Sequence, residues 1–586
     1  MAPKVKRRGK RLRNVEIAQK LEAIADMLAM QSANPFRIRA YQNAARTLRG
    51  LGVEVIDMIA RGENLADLES VAEDLAGKIK DFATTGTTRL YEQLRAKTPD
   101  LAFALIEIPG LGPKRVQTLI KGLRAKTIAD IRRAAHAEKV RELEGFGPKT
   151  EAELLQALEK APSPRRRPIA TVEPEAAALV AHMKAARSVK EAVVAGSFRR
   201  ARESVGDLDM VVSATAGASV VEHFKDYAGV ADIVGAGTTR ATVVLRDGLQ
   251  VDMRVVKPES YGAALLYFTG SKAHVVALRA LVRARGMKLN EYGLYRGKKR
   301  LAGATEAEVY AALALDFMPP ELREATGEIE AARKHALPDL VDLAAIKGDL
   351  CVRCAGPIAP VAEKARGLGY AYVAFVTRLA DVDAAGLRKR RAEIEKAQTG
   401  MPGIRLLHAI EVDIAEDGDL AAPDGALDKA DFVVGAVNTS LNLPHAQQSD
   451  RLALALAHPR LAMLAHPTGR IIGRREPIDV DWPRILRVAA QEGVALQLSG
   501  DPERLDLTDV HCRLARDADA LIAIGTDART PAELERMALA VQQARRGWLE
   551  PGHVLNTMSA SKALTRLQAA HGSGRAGPAR RAASRR

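Results

Sequence analysis

Three aspartates in two short Val-rich segments have the residue type and spacing needed to hold divalent cations. Asp207 and Asp209 lie two apart in GDLDMVV, and Asp252 lies in LQVDMRVV. Because residues two apart in a β-strand face the same side, the first two carboxylates should project together. A carboxylate buried in a strand is costly unless it is paired or coordinates a cation. On adjacent strands, three such groups could hold two metal ions and support phosphoryl transfer.

A Gly-Ser segment upstream of the aspartate pair could bind phosphate. Gly196 and Ser197 follow the predicted strand EAVVA, and Arg200 comes soon after them. Backbone N–H groups of a tight turn can hold phosphate oxygens, and an arginine can neutralise a triphosphate. An Asp-x-Asp pair alone is more typical of a solvated edge strand. Together with the Gly-Ser turn and the third aspartate, it favours nucleotidyl transfer.

Two Gly-x-Gly segments, each followed by Pro-Lys and a helical pattern, are candidates for DNA contacts. They are IPGLGPKRVQTLI at 108–120 and LEGFGPKTEAELLQAL at 143–158. A hairpin of this kind at a helix N-terminus exposes backbone N–H groups that hold a phosphate without reading sequence. One copy could be an ordinary turn between helices, but two copies favour DNA binding. The residues concerned are Gly110, Gly112, Lys114, Gly145, Gly147 and Lys149.

The elements that must position these residues change in type along the chain. Apolar residues from Val15 to about Leu158 recur three and four apart, which predicts an all-α region. The segment EKAPSPRRRPIA, 159–170, is typical of a linker. Short Val-rich strands with helices between them follow and predict an α/β or α+β unit. Beyond a second break near 328–345, alternating strand and helix patterns predict a separate βα domain.

Composition limits the class of protein and its partners. A chain of 586 residues is too long for one hydrophobic core, and its net charge of +16 favours a polyanionic partner. A basic proteome would explain that charge equally well. With 3 cysteines, a disulfide framework is unexpected and a reducing cytoplasm fits. The sequence has no apolar run of roughly 18 residues, so no membrane association is expected.

The sequence closely resembles the family X DNA polymerases, the group of DNA polymerase beta, in the bacterial form with a C-terminal PHP domain. The resemblance covers almost the whole chain and is most specific in GSFRR…GDLDM, QVDMR and 261–295. It implies that Asp207 and Asp209 ligate both metals and that Asp252 ligates the catalytic metal and receives the primer 3′-hydroxyl proton. Ser197 and Arg200 would hold the triphosphate. Arg254 would orient Asp252.

The resemblance also implies a nucleotide pocket in which close backbone approach to the sugar disfavours a 2′-hydroxyl. Read from the residues alone, Tyr267 and Phe268 could be ordinary core aromatics that open a helix. The resemblance and the neighbouring Gly270 favour the pocket. The expected nucleotide-binding residues are Gly196, Ser197, Arg200, Gly206, Arg254, Tyr267, Phe268, Thr269 and Gly270.

A 5′-deoxyribose-phosphate lyase activity occurs in some relatives of this kind, and Lys78 aligns with their Schiff-base lysine. Here, however, the preceding hairpin reads LESVAEDLAG rather than a Gly-rich pattern, and Asp74 replaces a basic position. We therefore expect a surface or phosphate-binding lysine rather than a lyase nucleophile.

Most metal ligands of a PHP domain are replaced in the C-terminal region. Arg353, Arg378 and Arg529 stand where the family places histidines. Because an arginine cannot ligate a cation and would repel it, we expect weak or absent nuclease activity. Cys351-x-x-Cys354 is more typical of two unconnected thiols than of a zinc site. A residual single-metal site through Cys351, Glu411, His466 and Asp527 stays open as an alternative.

The predicted fold is multidomain, with an all-α helix-hairpin-helix region, an α+β nucleotidyltransferase palm and a PHP-type (β/α) distorted barrel. The expected function is template-directed gap filling in DNA repair, with two Mg²⁺ or Mn²⁺ ions, gapped or nicked DNA and deoxynucleoside triphosphates as partners, and a monomeric state. Alternatives are a 3′–5′ exonuclease and a non-catalytic repair scaffold. The predicted divisions are a basic tail at 1–14, a 5′-phosphate-binding domain at 15–95, a helix-hairpin-helix region at 96–158, a linker at 159–170, the palm at 171–256, a nucleotide-selecting subdomain at 257–328, a linker at 329–345, the PHP-like domain at 346–567 and a basic tail at 568–586.

Overall fold

The computed structural model describes residues 12–106, 108, 111–159, 166–423 and 425–569. The chain divides into two compact units, Met1–Pro164 and Arg165–Arg586. Gly110 and most of both predicted basic tails lie outside the described residues. Leu12 is buried and the first helix begins at Asn14, so residues 12–14 belong to the folded unit rather than to the predicted tail.

The first unit is helical, as its apolar spacing predicts. Ile17, Leu21 and Ile24 are fully buried along the first helix, while Asn34 caps the second by accepting a hydrogen bond from the Phe36 N–H. The helices are α1 (Asn14–Met30), α2 (Pro35–Gly50), α3 (Val55–Ala60), α4 (Glu73–Thr85), α5 (Arg89–Lys97), α6 (Asp100–Ile106), α7 (Pro113–Leu123), α8 (Ile128–His136) and α9 (Pro148–Glu159). Helices α6 to α9 share a separate small core around Val116.

The second unit begins with a five-stranded sheet of order β2-β4-β7-β6-β5. Strands β4 and β7 are parallel neighbours. Alternate β4 residues such as Leu208 and Met210 are buried in the core that includes α10 and α12, so the intervening residues project from the opposite face. The elements are β1 (Arg167–Pro168), α10 (Ile169–Lys184), β2 (Val189–Val194), α11 (Gly196–Arg199), β3 (Ser204–Val205), β4 (Asp207–Ala214), α12 (Gly217–Lys225), β5 (Val230–Ala236), β6 (Arg240–Leu245) and β7 (Gln250–Val256).

A smaller subdomain follows the sheet. Its three strands have the order β10-β9-β8 and share a core with the surrounding helices, in which Leu266, Leu278 and Tyr310 are fully buried. The elements are α13 (Tyr261–Thr269), α14 (Lys272–Ala284), β8 (Lys288–Asn290), β9 (Gly293–Arg296), β10 (Lys299–Ala302), α15 (Glu306–Ala311) and α16 (Glu328–Arg333).

The C-terminal region is a seven-stranded parallel barrel in which the strands follow chain order. It closes between β17 and β11, because the Asp527 N–H donates to the Cys351 carbonyl and the Arg353 N–H donates to the Ala528 carbonyl. Its elements are β11 (Gly348–Val352), α17 (Ile358–Gly367), β12 (Tyr372–Arg378), α18 (Ala384–Thr399), β13 (Arg405–Asp413), β14 (Phe432–Ala436), α19 (His445–Leu456), β15 (Leu461–Ala465), α20 (Trp482–Glu492), β16 (Ala495–Ser499), α21 (Asp509–Asp517), β17 (Ile522–Gly525), α22 (Met537–Arg546) and α23 (Ala560–Ala569).

Both faces of the barrel strands are buried. On β12, Val373 and Phe375 pack in the core shared with α17 and α19 to α22, whereas Tyr372 and Ala374 pack in the core shared with α23. Strands buried on both faces read as continuous apolar runs, as YAYVAFV does. Within the described ranges, no helix is long and apolar enough to cross a membrane.

Candidate active site

The three aspartates singled out by the sequence meet on the palm sheet. Asp209 on β4 is in register with Asp252 on the neighbouring β7, and Asp207 is in register with Gln250. Asp209 and Asp252, together with Met210, Arg254 and Phe268, line a cavity of about 300 Å³. A larger cleft, of about 530 Å³, lies on the barrel beside α18. The smaller cavity is the candidate active site because it contains the aspartates.

Electrostatic repulsion makes this carboxylate group receptive to cations. Burial, and then the charges of Asp207 and Asp252, raise the pKa of Asp209 to about 6, although Arg200 and Arg254 act in the opposite direction. The pKa of Asp207 is also raised, first by burial and then by Asp252. Carboxylates whose ionisation is disfavoured by burial and by like charge are stabilised when a cation enters between them. The donor set therefore fits divalent metal ions.

Hydrogen bonds hold Asp252 in the structure. Its Oδ1 accepts a hydrogen bond from the Thr242 hydroxyl, and its Oδ2 accepts one from Gln250 Nε2 at 2.7 Å. No group of three or more His, Cys, Asp or Glu side chains in the described part of the chain is arranged to hold a metal as it stands. The three carboxylates must therefore rearrange before they can share a cation.

Gly196 brings the next element close to the metal-binding carboxylates. The Ala195 N–H donates to the Asp209 carbonyl at 2.6 Å, and Gly196 has a φ of 59° at the start of α11. A Cβ at Gly196 would lie 2.3 Å from Asp209 Oδ2. Only glycine combines this backbone conformation with so close an approach. Ser197, on the same turn, is half-buried.

Arg200 follows this turn and is held by the small subdomain. Its Nε donates to Glu324 Oε1 at 3.0 Å, and its Nη1 donates to the Thr269 carbonyl. Thr269 is fully buried at the end of α13, while its hydroxyl accepts a hydrogen bond from Arg199 Nη1 at 2.7 Å. The predicted triphosphate arginine and the predicted sugar-contacting segment are thus in direct contact.

The remaining predicted nucleotide residues border the same region. Tyr267 and Phe268 are half-buried and pack edge to face, with ring centroids 5.3 Å apart. The Arg254 guanidinium lies 5.5 Å from the Phe268 ring centroid. Thr242 and Gln250 donate hydrogen bonds to Asp252 in this structure, and the role of Arg254 in orienting that carboxylate stays a prediction. Gly270 is buried after α13, and Gly206 immediately precedes β4.

The two Gly-x-Gly segments lie before helices α7 and α9. Gly112 precedes Pro113, and Lys114 is exposed on the first turn of α7. In the second segment, Gly145 has a φ of 80°, and Gly147 has open space around its Cα. Lys149 is exposed on the first turn of α9. These exposed amides and ammonium groups could hold a phosphate.

Lys78, the candidate lyase residue, forms an ion pair with Asp74 one helical turn earlier in α4. Its Nζ also lies 3.2 Å from the Asp74 carbonyl. Asp74, which stands where the family has a basic residue, thus pairs directly with the Lys78 ammonium group. The Lys78 side chain is 17% exposed, so it is half-buried rather than the surface group that was expected. Its role in phosphate binding or lyase chemistry stays a prediction.

In the barrel, an arginine occupies the centre of the group that was considered as a residual metal site. Arg353 Nη1 lies 2.5 Å from Glu411 Oε2, and its Nε donates to Asp527 Oδ1 at 2.7 Å. Burial disfavours the charged guanidinium, but Cys351, Asp527 and Glu411 together raise the pKa of Arg353 well above its usual value. A fixed cation already compensates these carboxylates. The residues present do not fit a metal ion here.

Of the other members of the barrel group, the Cys351 thiol is a poor metal ligand in this arrangement, whereas His466 is a neutral imidazole. Burial, followed by the proximity of Asp527, raises the pKa of the Cys351 thiol well above its usual range, so it stays protonated. Burial and the charges of Arg353 and Arg504 lower the pKa of His466 to about 3. Cys354 is buried apart from this group, with its Sγ 3.8 Å from the Pro357 carbonyl.

The three arginines predicted in the barrel pocket differ in their placement. Arg353 and Arg378 both contact Glu411, with Arg378 Nε 3.8 Å from Glu411 Oε1. The prediction for Arg529 is wrong, because that residue is exposed and its backbone N–H donates to Glu533 outside the pocket group. Arg504 supplies the further positive charge near His466 instead.

Sequence reasoning missed the ion pairs that join the palm to the small subdomain. Glu306 accepts hydrogen bonds from both Arg199 and the fully buried Arg323. Glu324 contacts Arg200 and Arg546 of the barrel helix α22. The sequence carried no signal for these pairs, since their partners lie far apart in the chain.

Comparison with known families gives three matched segments. Residues 264–324 match the DNA polymerase beta thumb, residues 12–88 match a helix-hairpin-helix domain, and residues 103–160 match a SAM-like helix-hairpin-helix tandem. These matches and the barrel confirm the predicted fold class: a helix-hairpin-helix N-terminal region, polymerase subdomains and a PHP-type barrel.

Similarity to individual proteins extends along nearly the whole chain. The DNA polymerase/3'-5' exonuclease PolX of Bacillus subtilis is 31% identical over 560 residues, which cover 93% of this chain and 97% of that protein. Rat DNA polymerase lambda is 24% identical over 53% of this chain and 56% of its own length. Repair DNA polymerase X of African swine fever virus is 25% identical over 23% of this chain and 82% of its own length. The chain belongs to the family X DNA polymerases.

Proposed function

We propose that this protein is a template-directed DNA polymerase that fills gaps during DNA repair. The observation that carries the proposal is the register of Asp209 with Asp252, which places carboxylates of adjacent strands in one cavity. The family relationship supports the same activity. A repair scaffold without catalytic activity would not need this repulsive group of three carboxylates.

In the proposed mechanism, Asp207, Asp209 and Asp252 would hold two divalent cations. These cations, Mg²⁺ or Mn²⁺, would stabilise the negative charge of the attacking and leaving oxygens in nucleotidyl transfer. Asp252 receives the proton of the primer 3′-hydroxyl. A charge-assisted hydrogen bond from Arg200 and the Gly196–Ser197 turn would hold the triphosphate of the incoming deoxynucleotide.

The other predicted residues serve substrate choice and DNA binding in this proposal. Tyr267, Phe268, Thr269 and Gly270 bring the backbone close to the sugar and disfavour a 2′-hydroxyl. The Gly-x-Gly segments with Lys114 and Lys149 hold backbone phosphates of gapped or nicked DNA without reading sequence. We further propose that the protein works as a monomer in the cytoplasm, where its DNA substrate lies. Sedimentation would test the monomeric state.

The named 3'-5' exonuclease activity of the Bacillus subtilis relative suggests a second candidate function for the barrel. The ion pairs of Arg353 with Glu411 and Asp527 argue against it in this chain, because the guanidinium takes the place of a cation. We therefore propose the polymerase as the main activity and the barrel as a structural part of it.

The test is extension across a one-nucleotide gap with each deoxynucleotide in turn, in Mg²⁺ and in Mn²⁺. We expect insertion of the complementary nucleotide, loss of insertion in Asp252→Asn, and normal insertion in Asp232→Asn, which changes an exposed aspartate on the edge strand β5. Insertion regardless of the template would indicate a terminal transferase. Binding without insertion would indicate a scaffold.

A further inference from the structure

Arg546 of the barrel helix α22 contacts the segment that carries the proposed triphosphate arginine. Its Nη1 donates to the Arg200 carbonyl at 2.7 Å and to Glu324 Oε1 at 3.2 Å. Its Nη2 donates to Asp509 at the start of α21. One guanidinium therefore joins the barrel, the palm and the small subdomain.

Glu324 is the acceptor that Arg546 shares with Arg200. The same Oε1 atom lies 3.0 Å from Arg200 Nε and 3.2 Å from Arg546 Nη1. Arg202 Nη1 lies 3.9 Å from both Glu324 and Asp509. Three guanidinium groups thus alternate with two carboxylates, which leaves one net positive charge beside the proposed triphosphate site.

The side chains of this network are largely buried, so solvent screens the interactions between their charges only weakly. The Arg546 side chain is 2% exposed and that of Arg200 is 12% exposed. Although burial opposes ionisation of Glu324, Arg546 and then Arg200 hold its pKa below the usual value. Removing one partner of such a buried network destabilises the folded protein, because the opposite charge stays buried without compensation.

The network also restricts the orientation of Arg200. Nε is bonded to Glu324 and Nη1 to the Thr269 carbonyl, whereas Nη2 has no hydrogen-bond partner among the residues described. Fixing two of three nitrogens lowers the entropy cost of binding a ligand with the third. Arg546 fixes the acceptor on one side and the backbone of Arg200 on the other.

We propose that Arg546 is a positioning residue of the polymerase site, through which the C-terminal barrel fixes Arg200 and Glu324 for binding of the nucleotide triphosphate. The inference rests on the proposed polymerase function and deepens it. The barrel in this chain thus contributes to nucleotide affinity without a metal centre of its own.

The test compares Arg546→Gln with Arg545→Gln in steady-state extension of gapped DNA. Both changes remove one positive charge from α22, but Arg545 contacts Glu321 and the Val341 carbonyl instead of the Arg200 network. We expect Arg546→Gln to raise the deoxynucleotide KM roughly tenfold, as for a lost charge-assisted hydrogen bond, with kcat and the Kd for gapped DNA within about twofold. Arg545→Gln should retain the wild-type KM.

A lysine at position 546 provides a second variant should the glutamine variant fail to fold. Arg546→Lys keeps the charge, but one ammonium group cannot reach the Arg200 carbonyl, Glu324 and Asp509 together. We expect an intermediate KM and a Tm close to that of the wild type. A wild-type KM in Arg546→Lys or Arg546→Gln, or an equal rise in Arg545→Gln, would overturn the inference. Absence of extension by the wild-type protein would instead refute the proposed polymerase function.

Discussion

Asp209 on β4 is in direct register with Asp252 on β7, and both side chains line the same cavity. Parallel pairing sets their side chains on one face of the sheet, and Asp207 lies on that face two residues earlier. The protein thus concentrates negative charge where burial already makes ionisation costly. A cation bound between these carboxylates would offset this cost, and the effect on stability can be measured.

The first prediction concerns Asp209 in the metal-free protein. Burial and its two carboxylate neighbours raise its pKa from 3.8 to about 6. Because the folded-state pKa exceeds the unfolded value, the neutral side chain favours folding at low pH, and this stability is lost as pH rises through about 6. At pH 7.5 we expect Asp209→Asn to increase the free energy of unfolding by on the order of 1–3 kcal/mol and so to raise Tm. Near pH 4 we expect little change in either quantity.

Divalent metal should reverse the difference in Tm between the wild type and Asp209→Asn at pH 7.5. A cation that binds only the folded protein raises its stability with concentration, so Mg²⁺ or Mn²⁺ should raise the Tm of the wild type more than that of the variant. Thermal unfolding at both pH values, with chelator and with metal, measures this. A metal-free variant no more stable than the wild type at pH 7.5 would contradict the electrostatic account.

The second prediction concerns Gly196. Its positive φ and the 2.3 Å distance from a Cβ to Asp209 Oδ2 mean that Gly196→Ala must displace the carboxylate or the turn. Since a displacement of about 1 Å can cost about a hundredfold in rate, we expect a loss of at least that size in kcat/KM for extension. Gly367→Ala, which meets nothing within 4 Å, is the matched control. Comparable activity in the two variants would show that the turn is not part of the site.

The strands and the aspartates could be predicted from the sequence because they depend on local alternation. The Val-rich runs became β4 and β7, and the carboxylates project from one face as the spacing predicts. The hydrogen bond from Thr242 to Asp252 could not be predicted, because it depends on the pairing of β6 with β7. Local patterns do not determine strand order.

Pairs between distant segments could not be predicted either. Glu324 and Arg546 are 222 residues apart, and each alone resembles an ordinary surface charge in the sequence. The position of Arg529 was predicted wrongly for a related reason: the alignment with a ligand position says nothing about where its side chain turns. Its backbone bond to Glu533 accompanies an exposed side chain.

The third prediction concerns the Gly-x-Gly segments. Lys114 and Lys149 are exposed beside the proposed phosphate sites. Each phosphate contact releases counterions, so the double variant Lys114→Ala/Lys149→Ala should bind gapped DNA more weakly for all sequences and lower the slope of log Kd against log salt by about one per lost contact. The exposed barrel lysines Lys389 and Lys429 provide the control pair. An unchanged slope would place the DNA contacts elsewhere.

The last prediction concerns nuclease activity of the barrel. Arg353 pairs with Glu411 and Asp527, and Arg378 adds a second positive charge near Glu411. A cation that entered this group would be repelled by both guanidinium groups and would find the Cys351 thiol protonated. We therefore expect weak or absent digestion of a recessed 3′ end in Mn²⁺.

The measurement compares the intact chain with Glu411→Ala and His466→Ala on that recessed 3′ end. Background digestion from a contaminating nuclease would persist in both variants, whereas activity of this barrel would disappear in both. Robust digestion with that loss would mean that Arg353 moves away from Glu411 when a metal binds, and that the ion pairs seen here are only the metal-free arrangement. Without such digestion, the same ion pairs account for a barrel in which the Arg353 guanidinium, rather than a metal ion, compensates the charges of Glu411 and Asp527.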